Sequence, residues 1–253
     1  MNDLVLINNE NFFNSDSIEH GRLVKSFFYE LAEGVFKKNL NACSTYNNLF
    51  PEENFVPLAR NEQILNVLFG SAISDITPMF MSECPFDKSL LNKESKNTRR
   101  VDYWCLNRRG DTGKIINYFI ELKKSYYCTS VGTMEDINTI TSRRLEDLFD
   151  QISDIKNINP EWPGDGNAYL GIMVVHGYRN GNRNRNRNSN SKSNYDSNHL
   201  ARKLIDKVGG RKGIQMLMTT WEIPENHNAR NPWDNNDICE FISIACFALS
   251  KKK

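Results

Sequence analysis

The stretch that most constrains this chain is a pair of strand-patterned segments, Arg99 to Asn107 (RRVDYWCLN) and Ile115 to Lys123 (IINYFIELK). Both are rich in β-branched and aromatic residues, which suit a pleated, half-buried surface. Between them lies Arg108-Arg109-Gly110-Asp111-Thr112-Gly113, whose glycines supply the positive φ of a tight turn. The pattern predicts a β-hairpin. With the turn centred between Gly110 and Asp111, Asp102 pairs opposite Phe119 and lies diagonally across from Glu121 on the same face. Residues two apart in a strand share a face, so Glu121 and Lys123 project together, roughly 6 to 7 Å apart.

Helical periodicity surrounds this hairpin. Leu23, Phe27, Leu31 and Val35 recur every four positions between Ile18 and Lys38, which predicts an amphipathic helix. Asn39 to Pro57 has loop composition, and a second helical pattern runs from about Leu58 to Ile73. Pro78 limits the next segment to a strand or a loop, and Glu83 to Asn97 reads as polar and turn-rich. Thr139 to Asn157 carries Leu145, Leu148, Ile152 and Ile155 on one helical face, and Asn167 to Tyr178 (NAYLGIMVVHGY) is a nearly continuous apolar strand. A strand, helix, strand run implies a right-handed crossover with partly parallel pairing and a buried last strand. The fold class expected is α/β, a mixed central sheet flanked by helices. One domain spans 1–253, with a core over about 58–178, a low-complexity insertion over 179–198 and C-terminal additions over 199–253.

Composition sets limits on function. At 253 residues, with 39% hydrophobic and 25% charged residues, the chain is an ordinary globular sequence long enough for one sizeable core. The N-terminus MNDLVLINNENFF lacks the basic start and apolar core of a signal peptide. The apolar stretch Phe241 to Leu249 is too short to span a bilayer, so a cytoplasmic protein without a membrane partner is expected. The six cysteines are scattered without a CxxC pair, and the four histidines are isolated. Zinc spacing is absent and buried thiols are expected. Formal net charge is +1, so nucleic acid would be held by a local basic patch and not by the field of the whole molecule. The candidate phosphate contacts are Arg99, Arg100, Arg108, Arg109 and Lys124, beside the carboxylates. Arg179 to Asn198 (RNGNRNRNRNSNSKSNYDSN) has almost no apolar residue to anchor it and is expected to be a mobile loop.

Two carboxylates and an ammonium converging on one strand face have a chemical use. Carboxylate oxygens at about 2.1 Å suit Mg²⁺, which keeps several waters and takes phosphate oxygens as further ligands. Here the chain resembles the PD-(D/E)xK, or restriction-endonuclease-like, nuclease superfamily, through Asp102 in RVDYW and Glu121-Leu122-Lys123 in FIELKK. The resemblance covers about residues 58 to 178, where helix, strand, hairpin, helix and strand follow the family's order. The proline of the family's name is absent before Asp102, where Val101 stands. The resemblance implies a restriction-endonuclease-like core (αβββαβ) and an endonuclease hydrolysing phosphodiester bonds with Mg²⁺, for which Mn²⁺ substitutes. DNA is the expected substrate over RNA, and a homodimer stays open. It makes Asp102 and Glu121 metal ligands, the Leu122 carbonyl a third, and Lys123 the catalytic lysine. It adds Glu62 from the first core helix as a further ligand, with Glu30 and Glu33 in reserve, and Gln151 from the helix after the motif, where Arg144 and Asp147 precede it. The alternative is a protein that kept the nuclease-like fold, lost turnover, and acts as a nucleic-acid-binding or scaffolding module.

Overall fold

A computed structural model describes residues 4–50, 55–86, 99–109, 112–128, 139–158, 161–180, 197–208, 213–224, 229–230 and 237–250. In chain order they form β1 (Leu6–Phe12), α1 (Gly21–Leu49), α2 (Glu62–Ile76), β2 (Phe80–Phe86), β3 (Arg99–Arg108), β4 (Ile115–Cys128), α3 (Thr139–Ile158), β5 (Gly166–Asn180), α4 (Ser197–Val208), β6 (Ile214–Glu222), β7 (Ala229–Arg230) and β8 (Asp237–Leu249). The strands make one mixed sheet in the order β1-β6-β8-β5-β4-β3-β2, with the short β7 pairing β8. Among the described residues no helix is long and apolar enough to cross a membrane.

The expected hairpin is β3 and β4, and β5 lies parallel to β4 over the crossover helix α3. β5 is paired on its other edge by antiparallel β8, and its alternate residues enter two clusters, Ile172 and Val174 with α1 and α2 and Met173 and Val175 with α3 and α4, so both faces are buried as its continuous apolar run requires. Alternate residues of β4 divide the core. Ile116, Tyr118, Ile120 and Leu122 join α1 and α2 in one cluster, with Phe27 stacked on Tyr118 at 3.9 Å. Phe119 lies on the opposite face, with Ile155 of α3. Close packing of α3 depends on Gly171, where a Cβ would meet Leu148 at 2.8 Å.

Two expectations are corrected. The first helix does not stop before Asn39 but continues to Leu49. Asn39 and Cys43 are fully buried, and the Asn39 side chain accepts a hydrogen bond from the Leu58 N–H at 2.9 Å. Tertiary packing thus overrides the weak helix propensity of that segment. The hairpin register also differs, because Phe119 pairs with Trp104 and not with Asp102. That slip of two residues keeps every side chain on its face. The segment expected to be loop from Glu83 begins as the end of β2, and residues 181–196 of the Asn/Arg-rich insertion lie outside the described residues.

Candidate active site

The β3–β4 ladder ends at Tyr103 opposite Ile120. At the next step the Asp102 side chain replaces a backbone partner, and its Oδ2 accepts a hydrogen bond from the Leu122 N–H at 2.7 Å. In an extended strand the N–H and C=O of one residue point to the same side, so the Leu122 carbonyl also opens toward the gap where β3 leaves β4. Glu121 and Lys123 follow on the face shared with Phe119. Glu121 is only 2% exposed, and a carboxylate so buried needs a counter-charge. Lys123 Nζ supplies it, donating to Glu121 Oε1 at 2.8 Å. Asp102 is thus held against the backbone of Leu122, and Lys123 pairs with Glu121 while its charge also acts on Asp102.

Burial raises the Asp102 pKa above the usual carboxylate value. The Leu122 N–H and the Lys123 charge oppose that rise, while Glu83 and Glu62 reinforce it. Glu62 is exposed in the first turn of α2, close enough for its charge to act on Asp102 and on Lys124. Gln151 lies on α3 between Leu148, which packs on Gly171, and Ile155, which packs near Phe119. Gly171 pairs with Glu121. The buried Gln151 Oε1 has no hydrogen-bond partner among the described residues, an uncommon state for a buried amide. Arg144 on the same helix binds the Lys124 carbonyl, and Asp147 is exposed.

Glu83 was not singled out by sequence reasoning. It stands in β2 across from Asp102, between the pairs Ser82–Tyr103 and Cys84–Val101. Its φ of 52° is left-handed, a region that residues other than glycine seldom occupy inside a strand. Both strands change face there. Phe80 and Tyr103 belong to the α1/α2 side of the sheet, whereas Cys84, Phe86 and Val101 pack with Trp104, Phe119 and Ile155 on the α3 side. A residue in αL conformation leaves no mark on hydrophobic periodicity, so only the acid itself was visible.

The expected basic patch is mostly not at this opening. Arg108 and Arg109 sit at the far end of β3, roughly 20 Å from Asp102 at about 3.3 Å per residue, and Arg109 is engaged by Glu30 of α1. That pairing also removes Glu30 as a reserve ligand, and Glu33 pairs with Lys37 on the α1 surface. Lys124 points to the opposite face from Lys123, where its Nζ donates to the Ala59 carbonyl at 3.2 Å. Burial there pushes its pKa down to about 8. Arg100 is exposed and 3.8 Å from Glu83, so of these residues it is the one placed to reach a phosphate near Asp102. Arg99 pairs with Phe86 through the β2–β3 ladder.

Among the described residues no group of three or more His, Cys, Asp or Glu side chains is placed to hold a metal ion. Cys43, Cys84, Cys105, Cys239 and Cys246 are free and buried. No family model, curated protein or solved structure matches the chain.

Proposed function

We propose that this chain is a Mg²⁺-dependent nuclease of the PD-(D/E)xK type, acting on DNA through a restriction-endonuclease-like core formed by α2-β2-β3-β4-α3-β5. The observation that carries this reading is the convergence of Asp102, Glu121 and Lys123 where β3 parts from β4. Two carboxylates with a backbone carbonyl opening to the same gap are the hard oxygen donors that Mg²⁺ takes, and the ion completes its shell with waters and phosphate oxygens. The residues that would hold it are Asp102, Glu121 and the Leu122 carbonyl, with Glu62 reaching in from α2. When bound, such an ion neutralises phosphate charge and lowers the pKa of an attacking water.

The protein's own groups do the rest. Lys123, once released from Glu121, orients the water and stabilises the negative charge that develops on the phosphorane. The Gln151 amide of α3 offers an acceptor that has no hydrogen-bond partner among the described residues. Asp102 has to lose its proton before it can bind a cation, so activity rises with pH through its elevated pKa.

A folded scaffold without turnover is the second reading, and the deep burial of Glu121 favours it. Incubation with supercoiled plasmid, single-stranded DNA and RNA, with Mg²⁺ or Mn²⁺ and with chelator, separates the two. Chelator-sensitive cleavage is expected, reduced about a hundredfold or more in Glu121→Ala. Binding without cleavage by the wild type would favour the scaffold.

A further inference from the structure

We propose that the two-stranded arm made by Cys84–Phe86 and Arg99–Val101 is a hinged cover over the candidate active site, turning about Glu83 and Asp102. The cover's role rests on the proposed reading of that site, but its movement does not.

The bend itself follows from two contacts. The Phe86 and Phe119 rings meet edge to face with centroids 5.6 Å apart. Phe86 pairs with Arg99, whereas Phe119 pairs with Trp104. Arg99 and Trp104 are five residues apart, about 16 Å along a straight strand, and the strands of Phe86 and Phe119 flank β3 on opposite sides, about 9.6 Å apart. In a flat sheet the two rings could not touch. The arm must therefore fold back over the α3 face, the face that carries Glu121 and Lys123. The exchange of inside for outside at Glu83 and Asp102 is the same bend seen in the side chains.

The arm is also held in a way that allows it to lift. The backbone ladder to β4 stops at Tyr103, so beyond it the arm is fixed to β4 by the Asp102–Leu122 hydrogen bond and by the side chains of Cys84, Phe86 and Val101. Among the described residues β2 is an edge strand with no further strand outside it. A ribbon with so few attachments opens at a lower free energy than the sheet it leaves. The pivot is a residue already in a sparsely populated backbone region, as hinge positions often are. Glu121, 2% exposed beneath the arm, becomes reachable by an ion or a phosphate when the arm rises.

Cys84 reports this motion. It is 1% exposed in the underside of the arm, whereas Cys105, in the neighbouring strand β3, is fully buried in the main core. The full-length protein is treated with a maleimide under native conditions, without metal or nucleic acid, and each cysteine is followed by peptide mapping. Cys84 is expected to react at least tenfold faster than Cys105. Phe86→Ala is expected to accelerate Cys84 severalfold and leave Cys105 unchanged. Equal rates at the two cysteines, or a Phe86→Ala variant that accelerates both alike, would overturn the cover. A protected Cys84 in a protein that cleaves DNA would leave the nuclease reading intact, and a labelled Cys84 in a protein that cleaves nothing would sink the nuclease reading alone.

Discussion

Lys123 and Lys124 are neighbours in sequence and opposites in the fold. Strand alternation sends one to each face of β4. Lys123 meets the buried carboxylate of Glu121 at 2.8 Å, so two charges answer each other. Lys124 enters a nest beneath the 3-10 turn Pro57–Ala59, where it donates to the Ala59 carbonyl. Its neighbour there is His176, fully buried, with Nδ1 3.1 Å from the Ser125 carbonyl and Nε2 2.5 Å from the Leu58 carbonyl. Burial, with Lys124 adding to it, pushes the His176 pKa down to about 3. The same residue type one position apart is thus paired with an anion on one face and pressed toward neutrality on the other. What decides between the two is whether an anion shares the desolvated space.

The largest effect expected from this contrast is at Lys123. Lys123→Met removes the ion pair to the buried Glu121 carboxylate, and losing one member of a buried pair costs about 3–5 kcal/mol. Urea denaturation at pH 7 measures it, and adding Glu121→Gln to the same variant should recover most of the loss. Lys124→Met, the identical substitution next door, should stay within about 1 kcal/mol of wild type, since only a single hydrogen bond to a carbonyl is given up. Equal destabilisation by the two would mean that the Lys123–Glu121 pair carries no special weight.

The pH profile sharpens the comparison. Lys124 has a folded pKa of about 8 against 10.5 for a free lysine side chain, so the unfolded chain binds the extra proton between those values. Stability contributed by this group therefore rises with pH from about 8 to 10.5, and Lys124→Met removes the rise. His176 acts at the acid end. The folded ring stays neutral down to about 3, while the unfolded ring titrates near 6.5. Stability falls below about pH 6.5, by up to about 1.4 kcal/mol per pH unit for this one proton. His176→Gln should flatten that limb, and an unchanged limb would show that the ring is already charged in the fold.

The smallest shift expected is at Asp102, whose pKa is raised in the fold. A raised carboxylate contributes stability below its unfolded pKa that is lost as pH rises through the folded value. Asp102→Asn, which still accepts from the Leu122 N–H, should therefore melt no lower than wild type in chelator at pH 7. Mn²⁺ should raise the wild-type melting temperature, by mass action worth about 2.7 kcal/mol at a hundredfold excess over Kd, and the variant should lose most of that rise. Equal metal responses in scanning fluorimetry would place the ion elsewhere.

How much of this was legible depended on whether a feature repeats along the chain. The hairpin, α3 and β5 were visible because their apolar residues recur with periods of two or of about 3.6. The register differed by an even step, so Asp102 still lies beside the motif strand, where it accepts from the Leu122 N–H. The extension of α1 was not legible, since it rests on Asn39 and Cys43 meeting a distant turn. Nor was β1, an Asn-rich edge strand whose partner, β6, lies some two hundred residues on. The basic residues misled for a different reason. Arg108 and Arg109 lie near the motif in sequence but at the other end of a strand, and Lys124 at the right end but on the wrong face.

One feature of the sheet bears on how the protein is made. β8 follows β6 in the chain, yet it lies between β5 and β6. During synthesis β6 emerges before the strand that joins it to the rest of the sheet, and β1 has no partner until β6 arrives. The candidate site, carried by β3 and β4, belongs to the part of the sheet completed first. The free edge of β5 meanwhile has to wait for β8, an interval in which an unpaired strand is open to other chains. Pairings so distant in sequence slow folding, and the nascent chain is most vulnerable to aggregation just before β8 is added.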